Sequence, residues 1–137
     1  MARERRKKKE DLDFFIAFFE GVLRRSPCFV EALMALAEAY TRKGLYGKGL
    51  EVDEQLVALR PQDPVCRYNI ACSYSLLGRV EEALRQLRQA IELGYEDFSY
   101  MAQDPDLVNV RQDRRFQDLY KLTAASRPRI LKTPSDD

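Results

Sequence analysis

The chain has 137 residues, 45% hydrophobic and 33% charged, and these values predict one soluble globular domain with a core of its own. The formal net charge of +1 hides a segregation, because residues 3–9 hold six of the 23 basic residues and one acid, which leaves the rest mildly acidic. Histidine is absent, which excludes every catalytic arrangement and metal site that depends on it.

The first predicted elements are a basic N-terminal arm, residues 1–10, and an aromatic helix, residues 11–25. A signal sequence or a membrane anchor would need an unbroken apolar stretch, and the acids Asp11, Asp13 and Glu20 interrupt this one. We therefore interpret the helix as part of a globular core.

Two units follow, at residues 30–63 and 64–97, and they match each other with a fixed period of 34 residues. Gly44 of the first unit falls on Gly78 of the second, and apolar residues step at helical spacing on both sides of each glycine. We predict two antiparallel helix pairs that turn at these glycines. Each pair needs its neighbours to cover its apolar faces.

The pattern within each unit is recognisable. A large apolar residue precedes a small one, in "LA" at 36 and 37 and in "IA" at 70 and 71, and a tyrosine follows at Tyr40 and at Tyr74. Together with the turn glycine and the stretch "GRVEEAL", this pattern resembles the tetratricopeptide repeat (TPR). The resemblance implies an all-α fold, a right-handed TPR-like solenoid of antiparallel helix pairs with about six or seven helices.

The resemblance extends in weaker form to both ends. Residues 11–25 resemble the second helix of a repeat whose first helix is missing. Residues 98–123 contain "DPDL", followed by spaced Arg, Asp and Arg-Phe, and resemble the degenerate capping segment that ends many bacterial arrays. The tail, residues 124–137, has two prolines, little apolar content and clustered charge, and we expect it to be disordered.

The aromatic helix has more apolar surface than one neighbour can cover. By its alignment with the second unit, Phe15, Phe19 and Val22 should face the core. Phe14 and Phe18 widen the apolar arc to about 200°, against the ~100° that docking on one neighbour needs. The charge of residues 1–10 disfavours their folding back over this face. We therefore predict self-association as a homodimer through Phe14 and Phe18.

Two charged residues stand where the repeat pattern usually has large apolar ones. They are Asp53 in the first unit and Arg67 in the second. Either the two form a partly buried ion pair, or the helices rotate so that both side chains reach water.

The sequence contains few features that are typical of a catalytic site. It has no glycine-rich phosphate loop, and its carboxylates are interspersed with basic residues at helix-surface spacing. Cys28, Cys66 and Cys72 are odd in number and lack C-x-x-C spacing, which disfavours a disulfide framework and a zinc site and favours a reducing, cytoplasmic location. We expect Cys72 to be a packing residue. We predict no enzyme, no metal and no cofactor.

In the TPR family the first helix of each pair lines a concave groove that binds peptides. Here the groove should present apolar residues with a few hydrogen-bonding groups, which suits an apolar peptide fixed by polar contacts. The predicted groove residues are Glu31, Met34, Ala35, Glu38, Arg42, Val65, Tyr68, Asn69, Cys72 and Leu76.

Repeats that hold acidic chaperone tails use a clamp of lysine, arginine and asparagine on this face. Only Asn69 matches that clamp, because Met34 and Glu38 stand where a lysine and an asparagine would be wanted. The resemblance therefore predicts an adaptor or scaffold for a protein or peptide partner, other than an acidic tail.

The basic arm supports an alternative, since six positive charges could bind nucleic acid or an anionic membrane surface. The arm lacks interleaved aromatic residues and the body is acidic, which disfavours this role.

Overall fold

The computed structural model describes residues 2–131, with side chains described for residues 11–121 and 123. The described part is all-α. Its eight α-helices are α1 (Ala2–Arg25), α2 (Val30–Lys43), α3 (Tyr46–Leu59), α4 (Pro64–Leu76), α5 (Val80–Glu92), α6 (Phe98–Met101), α7 (Val108–Arg111) and α8 (Arg114–Leu131), and a 3₁₀ helix (Pro105–Leu107) precedes α7. The fold class is confirmed. Eight exceeds the expected six or seven because the chain after α5 is broken into short helices.

The two terminal helices are longer than the sequence led us to expect. The first begins at Ala2, so residues 2–10 continue the aromatic helix rather than forming a separate arm. The last continues to Leu131, so residues 124–131 of the expected disordered tail are helical. Residues 132–137 lie outside the described part. Lysine, arginine and glutamate are good helix formers, which accounts for the extension at the N-terminus.

Each of the two central helix pairs turns at its glycine. Gly44 and Gly78 have φ values of 87° and 75°, a left-handed conformation that side chains other than glycine disfavour. In both turns the amide after the glycine donates to a carbonyl five residues earlier, that of Tyr40 or Tyr74, at 2.8 Å. This hydrogen bond closes the helix end as a Schellman motif.

Two hydrophobic cores hold the stack together. The first joins α1, α2 and α3 to the start of α4, with Leu33 and Leu56 almost fully buried. The second joins α4 and α5 to the C-terminal helices, with Leu87, Leu107 and Val110 at 0% exposure. The apolar face of each pair is therefore covered by a neighbour, as the repeat requires.

Hydrogen bonds fix the C-terminal segment, residues 98–116, against α4. Asn109 Nδ2 donates to the carbonyl of Ser75 at 2.8 Å, and the Val110 amide donates to Ser75 Oγ at 3.2 Å. Arg111 donates to the carbonyls of Met101 and Asp104. These contacts place the loop between α6 and the 3₁₀ helix beside the inner face of α4.

Candidate partner-binding groove

A groove of about 630 Å³ runs along the inner faces of α2 and α4, and its volume lies within the range of ligand-binding clefts. The eight predicted residues that line it are Met34, Ala35, Glu38, Arg42, Tyr68, Asn69, Cys72 and Leu76. Glu31 and Val65 do not line it. They lie in the first turns of α2 and α4 and are exposed, because the groove begins about one helical turn further along.

The C-terminal segment contributes one side of the groove, which sequence reasoning missed. Tyr100, Asp104 and Asp106 line it together with the helix residues. The stretch "DPDL" was interpreted only as part of a capping segment. An Asp-Pro pair that opens a helix was the available signal, since an aspartate there accepts backbone amides and is held in one orientation.

Asp104 is the most constrained polar residue of the groove. Its side chain is buried, and Oδ1 accepts the Asp106 amide at 2.9 Å. Oδ2 accepts the hydroxyl of Tyr68 at 2.6 Å and lies 3.7 Å from Cys72 Sγ. The Tyr68 ring stacks on Tyr95 with centroids 4.2 Å apart. The carboxylate is therefore held rigidly where the C-terminal segment meets α4.

Burial and the charge of Asp104 favour the protonated forms of the neighbouring thiol and tyrosine hydroxyls. Burial, and then the Coulomb effect of Asp104, raise the pKa of the Cys72 thiol well above its usual value. Burial also raises the pKa of Tyr68, and it raises that of Tyr95 to about 12. A neutral buried thiol is a poor nucleophile, which supports a packing role for Cys72.

Cys72, Asp104 and Asp106 bring one ligand atom each to within 4.8 Å of one another. Both oxygens of Asp104 already accept hydrogen bonds, and Cys72 Sγ donates to Oδ2 at 3.7 Å. Asp104 and Cys72 are therefore part of a hydrogen-bonded junction between α4 and the C-terminal segment.

Asp53 lines the groove, and of the two alternatives that the sequence left open for it, the ion pair with Arg67 is wrong. Asp53 is 4% exposed and accepts the hydroxyl of Ser73 at 2.5 Å. Arg67 donates instead to the carbonyl of Pro61 and to Gln86 Oε1. The alternative in which Asp53 reaches water is also wrong. The sequence could not identify Ser73 as the hydrogen-bond partner of Asp53, because nothing distinguishes it from other small residues of α4.

The phenylalanines of α1 are not divided between the core and the surface as the sequence alignment predicts. Phe14 and Phe18 are 68% and 53% exposed, as expected for an uncovered face, but Phe15 is also 49% exposed. Among the α1 residues whose side chains are described, Ile16 is the buried one, and it belongs to the core shared with α2. The aligned residue Ala83 is buried in the core that α4 and α5 share, whereas the ring contacts of Phe15 are with Phe14 and Phe19 of its own helix.

The basic residues 3–9 lie in the first turns of α1, and their side chains are outside the described part. None of the helices in the described part is both long and apolar enough to cross a membrane.

Comparison with known proteins gives one family. The sequence description of the tetratricopeptide repeat matches residues 66–93. A curated relative, a protein of Arabidopsis thaliana whose name carries the word "chloroplastic", is 36% identical over 85 residues, which are 60% of this chain. The chain spans about a quarter of that relative's length. Because that name refers to the chloroplast, the cytoplasmic location expected here stays a prediction.

Solved structures share the fold. The crystal structure of MamA superimposes with a TM-score of 0.70 at 22% identity, covering 90% of this chain and 73% of that one. MamA from residue 41 to its end, from Desulfovibrio magneticus RS-1, gives 0.64 at 19% identity, covering 87% and 70%. At these identities the similarity shows the fold alone. With the glycine-turned helix pairs, these matches confirm the predicted resemblance: residues 66–93, in α4 and α5, match a tetratricopeptide repeat, and the chain has a TPR-like helical-repeat fold.

Proposed function

We propose that the chain is a non-enzymatic interaction module, an adaptor or scaffold that binds a segment of a partner protein in the groove between α2 and α4. The observation that carries this proposal is the groove itself, which is open, about 630 Å³ in volume and lined from two successive repeats. Its walls mix apolar side chains, such as Met34 and Leu76, with polar ones, such as Asn69, which suits a peptide held by shape and a few hydrogen bonds.

The chemistry of the groove supports binding rather than catalysis. General acid–base or nucleophilic catalysis needs a reactive group within reach of a substrate, with a pKa near the working pH. Burial holds the pKa of the Cys72 thiol well above its usual value, and Asp104 accepts the Tyr68 hydroxyl. Asp53 has a pKa raised to about 6, but it is 4% exposed and hydrogen-bonded to Ser73, so a substrate in the groove would not reach its carboxylate readily. Lys43 and Asp13, which form an ion pair between α2 and α1, do not line the groove.

Selection from a library of short random peptides, displayed on phage and captured on the immobilised full chain, tests the proposal. Recovered peptides should lose affinity for the double variant Met34→Ala with Asn69→Ala. The matched control is Glu31→Ala with Val65→Ala, because these exposed residues lie on the same two helices outside the groove. Peptides that bind both variants equally well, or a library that yields none, would contradict groove binding.

Self-association is a second candidate function, and the exposed aromatic face of α1 favours it. Phe14 and Phe18 stack with ring centroids 6.4 Å apart, and Phe15 contacts Phe14 edge to face. Apolar patches of this kind on a protein surface commonly mark an interface. The alignment with α5 indicates that a further helix would pack on this face, and a second copy of α1 would provide one.

Light scattering as a function of concentration tests self-association. The unmodified chain should approach the dimer mass at high micromolar concentration, and Phe18→Glu should keep it a monomer. Phe29→Glu is the control, since Phe29 is similarly exposed at the start of α2 and has no ring contact with the α1 phenylalanines in the described part. A strict monomer, unchanged by Phe18→Glu, contradicts the dimer.

A further inference from the structure

The charge of the groove is strongly one-sided. Its lining includes four carboxylates, those of Glu38, Asp53, Asp104 and Asp106, and one basic side chain, that of Arg42. None of the five takes part in an ion pair within the described part of the chain, where the ion pairs involve Asp13, Glu81, Glu82 and Asp113. The excess negative charge in the groove is therefore left without a cation from the protein itself.

Asp106 is the carboxylate best placed to bind a cation from outside. Asp104 is buried, and its oxygens already accept hydrogen bonds from Tyr68 and from a backbone amide. The Asp106 carboxylate is half-buried and accepts no hydrogen bond in the described part of the chain. Burial and the Coulomb effect of Asp104 raise the pKa of Asp106, as expected for a carboxylate beside another carboxylate. A cationic group would relieve this repulsion.

The surroundings of Asp106 also suit an organic cation rather than a bare ion. Tyr100 lines the same side of the groove with 47% of its surface exposed, and the charges of Asp104 and Asp106 raise the pKa of its hydroxyl. An aromatic face near carboxylates attracts lysine and, more strongly, arginine side chains. Met34 and Leu76 line the groove as well, and they offer apolar surface to neighbouring residues of a bound peptide.

We propose that the groove binds a peptide segment in which a lysine or arginine side chain, placed at Asp106 and Tyr100, is flanked by apolar residues packed on Met34 and Leu76. This inference rests on the proposed binding function of the groove and adds the chemical class of the partner. It also gives a physical reason why acidic tails should be rejected, since their carboxylates would meet the four carboxylates of the groove.

Three random peptide libraries with a fixed central arginine, glutamine or glutamate, captured on the full chain, test the inference. The arginine library should yield most of the binders that depend on the groove, as judged by loss of binding to Met34→Ala with Asn69→Ala. Their affinity should fall about tenfold with Asp106→Asn and should weaken as salt is raised. Asp118→Asn is the control, since it removes the same charge from an exposed position on α8.

The outcomes separate this inference from the proposed function. Groove-dependent binders that come equally from the glutamine or glutamate libraries, or that ignore Asp106→Asn, overturn the basic-peptide inference and leave groove binding standing. A failure of all three libraries to yield a groove-dependent binder overturns both. Because the Asp106 side chain accepts no hydrogen bond in the described part, Asp106→Asn should fold normally, and an unchanged circular dichroism melt verifies this.

Discussion

The buried carboxylate of Asp53 should make the stability of this protein depend on pH. It is 4% exposed and accepts one hydrogen bond, from Ser73. Burial raises the pKa of Asp53 from 3.8 to about 6, and the Ser73 hydrogen bond offsets only part of that rise. Asp53→Asn removes the charge and keeps the shape of the side chain, so it isolates the free energy of ionising this position.

The pKa shift of Asp53 gives the magnitude and the sign of its effect on the free energy of unfolding. The folded state keeps a proton on Asp53 that the unfolded state releases, and each pKa unit is worth about 1.36 kcal/mol. Protonated Asp53 makes its full contribution to the free energy of unfolding below pH ~3.8. That contribution declines between pH ~3.8 and pH ~6, where only the unfolded state is ionised. Above that window the ionised carboxylate has lowered the free energy of unfolding by about 3 kcal/mol.

Urea denaturation of both chains at pH 4 and pH 7 measures this effect. The difference in unfolding free energy between Asp53→Asn and the unmodified chain should shift by about 2.4 kcal/mol in favour of the variant between the two pH values, because the unfolded state is already partly ionised at pH 4. Other titrating groups, including Asp106, are common to both chains and cancel. Any constant cost of the new amide group cancels in the same way.

Glu54→Gln is the control for this measurement, because Glu54 is the exposed neighbour of Asp53 on α3. It should leave the pH profile of stability nearly unchanged, since water screens a charge at the surface. A difference between Asp53→Asn and the unmodified chain that is equal at pH 4 and pH 7 would refute the raised pKa. Cys66 does not confuse the result, since its own pKa is raised to about 11 and the thiol stays neutral.

Three further substitutions test the packing by urea denaturation. Leu87→Ala, at 0% exposure, should lower the unfolding free energy by about 2 to 5 kcal/mol, and a loss under 1 kcal/mol would mean that the second core is not closely packed. Gly78→Ala should cost about 1 to 2 kcal/mol through its φ of 75° alone, because an added Cβ meets no atom within 4 Å; no loss would argue against that conformation. Tyr68→Phe should cost about 1 to 3 kcal/mol by removing a donor from buried Asp104, and a neutral effect would contradict that hydrogen bond.

The sequence predicted those parts of the fold that repeat. A fixed period of 34 residues aligned Gly44 with Gly78, and both adopt the left-handed turn that the repeat demands. The resemblance to the TPR placed a groove on the inner faces of α2 and α4, and eight of the sixteen residues that line the groove are among the predicted ones. These features depend on local spacing along one helix pair, which a sequence displays directly.

Positions without a repeated counterpart could not be predicted in this way. The alignment assigned Phe15 to the core because the aligned Ala83 is buried there, whereas Phe15 is 49% exposed and its ring contacts are with Phe14 and Phe19 of its own helix. Asp53 drew attention as a charged residue at an apolar position, but several polar residues could have reached it. Choosing Ser73 over Arg67 needs the rotation of α3 against α4, which the pattern leaves open.

The acidic side of the groove connects the C-terminal segment of the repeat array to the proposed binding function. Asp104 accepts the Asp106 amide at the start of the 3₁₀ helix, and the same carboxylate accepts the Tyr68 hydroxyl of α4. Docking of the C-terminal segment therefore orients Tyr68 and places Asp106 and Tyr100 in the groove in one step. Since these hydrogen bonds fix Tyr68 and the backbone of Asp106 before a ligand arrives, binding does not bear the entropic cost of ordering them. The segment that covers the apolar end of the stack thus also supplies the charge by which we expect the groove to select its partner.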